Sequence, residues 1–207
     1  MQAAPGASLT DADTPVTTRR RALLLFGLVA ATFYAVDVVT KIVAVDRLEG
    51  RPDVVVVDGV LSLTLVRNPG AAFSAGTQLT ELLSVAAIIA VAVVLWQLRR
   101  LGSTFWGVGL GFLLAGVAGN LTDRLLRAPG PLRGEVIDFF RLPNWPVFNV
   151  AEVCINVAAG LIIIQAFRGV HLDGTREPSR AEERAAREER EAREARDPER
   201  DESEPGA

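Results

Sequence analysis

The sequence predicts a membrane protein that is all-α apart from a small β element: four transmembrane helices plus an extracytoplasmic β-hairpin or cradle. Two observations carry this. Four apolar stretches, about Ala22–Val45, Leu79–Leu98, Phe105–Leu121 and Val147–Phe167, approach the roughly 20 residues that cross a bilayer as a helix. Between the first two, Val54-Val55-Val56-Val57, Asp58-Gly59 and Val60 to Val66 read as a hairpin, with Asp-Gly as a type I′ turn signal.

The first span, Ala22–Val45, is too long for a signal-peptide core of roughly 7–15 residues, and it carries Asp37 and Lys41 in place of a small-residue cleavage site. In the hairpin, Leu61, Leu63 and Leu65 alternate with Ser62 and Thr64, which gives one apolar face. Such a hairpin lies on the bilayer surface or covers a cleft facing the lipid. The third span is short if it stops at Asn120, but Leu121, Leu125 and Leu126 can extend it. Trp145, between Pro143 and Pro146 ahead of the fourth span, fits an interfacial anchor.

Charge divides the chain further. Residues 1–18 form a polar lead, expected to be disordered. Residues 19–170 form the four-helix membrane domain. Residues 171–207 form a charged tail, disordered or partly helical, with Glu183–Arg187 and Glu189–Arg193 at helical spacing. From Asp173 onward there are 8 Arg and 13 acidic residues, so the tail outweighs a body of charge +2 in the net charge of −3. A nucleic-acid partner is not expected. Arg19, Arg20, Arg21, Arg99, Arg100 and Arg168 flank the spans. The positive-inside rule then places both termini in the cytoplasm and the two longer loops, 46–78 and 126–146, outside. One Cys (Cys154) and one His (His171) leave no basis for a disulfide or for a zinc site built on these ligands.

The chemistry is concentrated in a few polar positions. Asp37 and Lys41 share a helical face, as a structural ion pair or as a direct contact to substrate. Asn68 precedes the Pro69-Gly70 turn, and its amide can both donate to and accept from a peptide backbone. Asn120, Asp123 and Arg124 share a face at the end of the third span; the arginine alone could simply snorkel. Asp138 lies in Gly134-Glu-Val-Ile-Asp-Phe-Phe140, and Glu152 in Phe148-Asn-Val-Ala-Glu-Val-Cys-Ile-Asn156. A carboxylate in hydrocarbon costs roughly 2.5–3.5 kcal/mol on insertion scales, so such residues are rare without a use. Asn149, Glu152 and Asn156 fall on one stripe, facing a bundle interior or a cavity. Two close carboxyls cannot both ionise easily. Sharing one proton gives the base and the acid that peptide hydrolysis needs.

Jointly, Asp37-Val-Val-Thr-Lys41, Asn68-Pro-Gly-Ala-Ala-Phe-Ser74, Gly119-Asn-Leu-Thr-Asp-Arg124, Val136-Ile-Asp-Phe-Phe140 and Phe148-Asn-Val-Ala-Glu-Val-Cys-Ile155 resemble the lipoprotein signal peptidases of bacteria, signal peptidase II, over about Arg21 to Phe167. The resemblance implies a metal-free, cofactor-free aspartic endopeptidase of the bacterial cytoplasmic membrane. It removes signal peptides from prolipoproteins, cutting just before a diacylglyceryl-modified cysteine. Prolipoproteins and membrane lipids are then the partners, and the chain is read as a monomer. It also implies Asp138 and Glu152 as the catalytic pair, Asn68, Asn120, Arg124 and Asn149 at the substrate, and Asp37, Lys41 and Asp123 as supporting polar residues. One position departs from the family pattern, which is Phe-Asn-x-Ala-Asp: this chain has Glu152 where the second aspartate belongs. The alternative is a non-catalytic homologue that binds lipopeptides.

Overall fold

The computed structural model describes residues 14–70, 77–178 and 180–196. Its elements are α1 (Thr14–Leu48), β1 (Val54–Val57), β2 (Leu61–Asn68), α2 (Thr77–Gln97), a 3₁₀ turn (Leu98–Arg100), α3 (Thr104–Leu126), β3 (Val136–Arg141), α4 (Val150–Phe167) and α5 (Arg180–Arg196). Among the described residues, four helices are long and apolar enough to cross a membrane. Leu24, Leu28, Val39, Ile42, Leu82, Ile89, Val93 and Ile163 point outward from them. A helix satisfies its own backbone, so this apolar exterior suits hydrocarbon.

Helix α1 starts at Thr14, inside the segment read as a lead; residues 1–13 lie outside the described residues. Helix α3 runs past Asn120 to Leu126, as Leu121, Leu125 and Leu126 allow. Of the charge pairs expected in the tail, Glu183–Arg187 and Glu189–Arg193 each include a side chain outside the described ones. Within α5, Arg187 and Glu191 pair at 2.8 Å.

The spans run up and down, which gives the bundle two unlike ends. At one end, α1 begins and α2 ends, and Trp106 in the first turn of α3 donates to the Val170 carbonyl just beyond α4 (2.8 Å). Ala22, Phe26, Val94, Leu101 and Leu110 make the core there. At the other end, Ala44 and Leu48 of α1 pack on Ile137 and Phe139 of β3, with Leu63 and Leu65 of β2 against them. The α2 end of this region is tied in by Ser84, which donates to the Leu132 carbonyl (2.6 Å), and by Thr80, which donates to the Pro69 carbonyl.

Helix α3 is the hub, packed mainly on α1 and α4. Small residues permit this close approach, as they do wherever membrane helices must pack without a hydrophobic drive. At Gly116 a Cβ would collide with the Ala151 carbonyl of α4, and at Gly119 it would collide with the Asp37 carboxylate of α1.

The sheet has three antiparallel strands in the order β1-β2-β3. The first two form the expected hairpin; the third lies within segment 126–146, which the spacing of the spans predicts as loop. Strand β3 is six residues long and carries a carboxylate among its apolar residues, so it lacks the alternation that marks a strand. Its first four residues are buried. The hairpin turn also differs from expectation. Gly59 has φ +68°, whereas Asp58 is not among the residues with positive φ, and Val60 N–H donates to the Val57 carbonyl (3.0 Å). A type I′ turn needs positive φ at both central residues; positive φ at the second alone is the type II requirement. Irregularities between Val55 and Val57 and between Leu63 and Val66 bend the ladder, as bulges do. Val54–Val57 remain exposed at the sheet edge.

Candidate active site

Two antiparallel pairs of β2 and β3 set the position of the first carboxyl. Asn68 is opposite Val136, and Val66 is opposite Asp138. Asn68 and Asp138 are therefore diagonal neighbours on one face, within reach of each other. Asn68 Nδ2 donates to Asp138 Oδ2 (2.9 Å), and its Oδ1 accepts the Gly70 N–H (2.8 Å). The second contact fixes the amide. The Pro69-Gly70 turn holds it in place, with Gly70 at φ +96°. The rest of that motif, residues 71–74, lies outside the described residues.

The other oxygen of Asp138 is held from α4. Asn149, fully buried, donates from Nδ2 to Asp138 Oδ1 (2.6 Å) and to Asn120 Oδ1 (3.2 Å). Its own Oδ1 accepts the Glu152 N–H (2.9 Å), which makes Asn149 the N-cap of α4. An asparagine there satisfies a helix-end donor. Glu152 is the third residue of the helix, the position of the acidic member of a capping box. The Asp138 charge acts on its carboxyl.

Asp138 is 1% exposed. Burial pushes its carboxyl above its ordinary value; the amides of Asn68 and Asn149 and the Lys41 charge pull in the other direction. Burial outweighs the two amides, so this carboxyl keeps its proton more readily than one in water.

Beneath this pair lies an ionic network. Lys41, 1% exposed, has Asp37 Oδ2 at 2.8 Å, Asp123 Oδ2 at 2.9 Å and Asn120 Oδ1 at 2.8 Å. The Asp37 contact is an ion pair without hydrogen-bond geometry, because its Oδ2 finds no donor at a bonding angle. Asp37 Oδ1 accepts the Ala151 N–H (2.8 Å), which satisfies a second donor at the start of α4. Asp123 also pairs with Arg127 and accepts the Ile137 N–H (3.2 Å). Two carboxylates thus face two cations, and the network joins α1, α3, α4 and β3. Paired charges are the form in which burial is tolerated.

Arg124 is 8% exposed, and its Nη1 has no hydrogen-bond partner among the described residues. A Cβ on Gly70 would lie 3.7 Å from Nη2, so the guanidinium sits below the Pro69-Gly70 turn.

All nine sequence-derived positions therefore meet at one end of the bundle, but not in equal standing. Asn149 and Asn120 were expected at the substrate. Asn149 is buried with both its donor and acceptor in use, and the Asn120 acceptor is taken by Lys41 and Asn149. The Asn149–Glu152–Asn156 stripe does not face the interior. It grades from buried Asn149 to half-buried Glu152 to exposed Asn156, whose amide turns back to the Glu152 carbonyl (2.9 Å). Arg127 was missed, although it stands four residues after Asp123, the spacing of a helical ion pair.

Fold and site together define a multi-pass membrane protein with two neighbouring carboxyls at one end of its bundle. Residues 29–168 match the family model described as signal peptidase (SPase) II. The chain belongs to the signal peptidase II family. It is 42% identical over 185 residues to the lipoprotein signal peptidase of Mycolicibacterium smegmatis, covering 88% of this chain and 77% of that one. It is 48% identical over 164 residues to that of Rhodococcus jostii, covering 79% and 81%. A bacterial membrane enzyme solved at 1.9 Å by the in meso method superposes with a TM-score of 0.62 at 26% identity, covering 69% of this chain and 92% of that one.

Proposed function

We propose that this chain is an aspartic endopeptidase that removes signal peptides from prolipoproteins at the membrane surface, cutting just before a diacylglyceryl-modified cysteine. Family membership supports the removal of lipoprotein signal peptides. The observation that carries the aspartic mechanism is Asp138: a buried carboxyl with each oxygen held by one amide, beside Glu152 at the start of α4.

In this reading Asp138 and Glu152 share one proton. The ionised member takes a proton from water as the water oxygen attacks the scissile carbonyl carbon. The protonated member donates to the carbonyl oxygen. The resulting diol collapses, a proton passes to the leaving nitrogen, and the C–N bond breaks. Asn68 and Asn149 orient Asp138. Arg124, below the Pro69-Gly70 turn and with its buried Nη1 unpartnered among the described residues, is the cation nearest the path of the peptide in this reading. The diacyl chains stay in lipid beside the apolar helix faces, and the exposed valines of the hairpin lie over the peptide. The positive-inside rule assigns the arginine-rich end to the cytoplasm, so the site faces outward.

Glu152 in place of Asp does not require lost chemistry. Glutamate is the favoured third residue of a capping box, and Glu152 occupies that position. The test is cleavage by purified protein of two synthetic peptides, one with diacylglyceryl-cysteine and one without. Mass spectrometry should show a single cut before the lipidated cysteine and none in the unmodified peptide. Binding of the lipopeptide without any cut would favour the non-catalytic alternative.

A further inference from the structure

We propose that the crevice at the arginine-rich end of the bundle binds the phosphate of an anionic phospholipid headgroup. The proposal is independent of the peptidase reading, since the crevice lies at the opposite end of α1 from Lys41, about 33 Å away at 1.5 Å per helical residue.

The crevice has a volume of about 710 Å³, with Arg19, Arg99, Arg100, His171, Asp173 and Thr175 on its walls. The walls are built, not incidental. Gly102 and Ser103 donate to the Leu172 carbonyl (2.9 and 3.1 Å), His171 N–H donates to the Thr175 carbonyl (2.8 Å), and Glu177 N–H donates to the Gly169 carbonyl (2.9 Å). Leu101 is 1% exposed and packs with Leu172 in the core at this end. The segment after α4 is thereby folded back onto the α2–α3 loop, and the arginines of that loop line the gap between them.

Its charge is unbalanced. Three guanidinium groups face one carboxylate, Asp173, whose Oδ1 accepts from the Thr175 N–H and hydroxyl (2.9 and 2.7 Å). None of the three arginines pairs with a carboxylate among the described residues; the Glu177 carboxylate lies against His171 (3.4 Å). Guanidinium groups match phosphate oxygens in geometry and charge. The position selects a lipid over a soluble anion. The crevice forms where α2 ends, next to Leu95 and Trp96, which are 49% and 52% exposed. The Arg100 guanidinium lies 5.4 Å above the Trp96 ring. Tryptophan and arginine side by side on an apolar helix mark the headgroup level, and basic pockets between spans are suited to acidic headgroups.

The experiment is thermal unfolding of the full chain in a neutral detergent, titrated separately with short-chain phosphatidylglycerol, phosphatidylcholine and inorganic phosphate. Saturable stabilisation by phosphatidylglycerol alone is expected. Arg19→Gln with Arg99→Gln should weaken its apparent affinity by about 30-fold. Arg47→Gln with Arg51→Gln, at the other end of α1, should leave it unchanged. Asp173→Asn should tighten it, and it decides the matter if the arginine variant does not fold. Equal stabilisation by phosphatidylcholine or by inorganic phosphate, an unchanged affinity in the Arg19/Arg99 variant, or an unchanged affinity on Asp173→Asn would each overturn the proposal.

Discussion

Asn149 donates a 2.6 Å hydrogen bond to Asp138, and the same side chain caps the helix that carries Glu152. One amide therefore sets the spacing of both carboxyls. The cap fixes where α4 begins, and the donor fixes which way Asp138 points.

These two jobs can be separated by substitution. Asn149→Ser retains a capping oxygen but is too short to reach Asp138, so stability should hold and kcat should fall by about 100-fold, the scale of a 1 Å misplacement. Asn149→Ala should lose kcat and, in addition, about 1 kcal/mol of stability. Cleavage kinetics and thermal unfolding in detergent measure the two effects. Equal stability and equal kcat for both variants would show that the cap does not position the site.

Asn68 supplies a second amide, and its removal has a defined sign. Burial raises the Asp138 carboxyl and the Asn68 amide lowers it. Asn68→Leu should therefore move the acid limb of the kcat/KM profile to higher pH. Linkage follows the same sign. A group whose folded pKa is raised contributes stability that is fully present below its unfolded pKa and is lost as pH rises through the folded value. The variant should accordingly lose that contribution at a higher pH than wild type. A limb that stays in place or moves to lower pH would contradict this.

Lys41 is the cation on which the buried network depends. Lys41→Met leaves Asp37 without its cation, and breaking a buried pair from one side costs about 3–5 kcal/mol. Unfolding in detergent should show that loss. Adding Asp37→Leu should recover part of it, because Asp123 retains Arg127. No recovery in the double variant would mean that Asp37 is needed chiefly for its bond to the Ala151 N–H.

The tail divides at Pro178. Deleting residues 178–207 should leave cleavage intact, since the return segment that packs on α3 ends at Glu177. Deleting residues 170–207 removes the Leu172 contact and the Trp106 hydrogen bond and should lower the unfolding temperature. Cleavage assays and melting curves on the two truncations check this. Lost activity in the shorter deletion would make α5 part of the working protein.

The spans, and the polar residues that gather at one end of the bundle, were legible in the sequence because each has a local signature. A span shows as a run of apolar residues, and a carboxylate or amide inside such a run stands out. What was not legible depends on tertiary neighbours. Strand β3 is strand because β2 pairs along its edge and α1 packs on its apolar residues; nothing in Val-Ile-Asp-Phe-Phe alternates. The burial of Asn149 cannot be read from the fourth span alone, because its partner Asp138 arrives from a strand eleven residues upstream. Asp58-Gly59 gave the turn its place but not its type, since bulges on β1 and β2 change the twist that the turn has to match.

The most direct measurement compares cleavage of a diacylglyceryl-cysteine peptide by wild type, Asp138→Asn, Glu152→Gln and Glu152→Asp, all purified and shown to be folded. The account predicts that wild type cuts, that both amide variants lose activity by at least about 1000-fold, well beyond the 100-fold expected for mere misplacement, and that Glu152→Asp cuts as well as or better than wild type. A wild type that binds the lipopeptide without cutting it, or a Glu152→Gln variant that cuts at the wild-type rate, would contradict a catalytic pair made of Asp138 and Glu152.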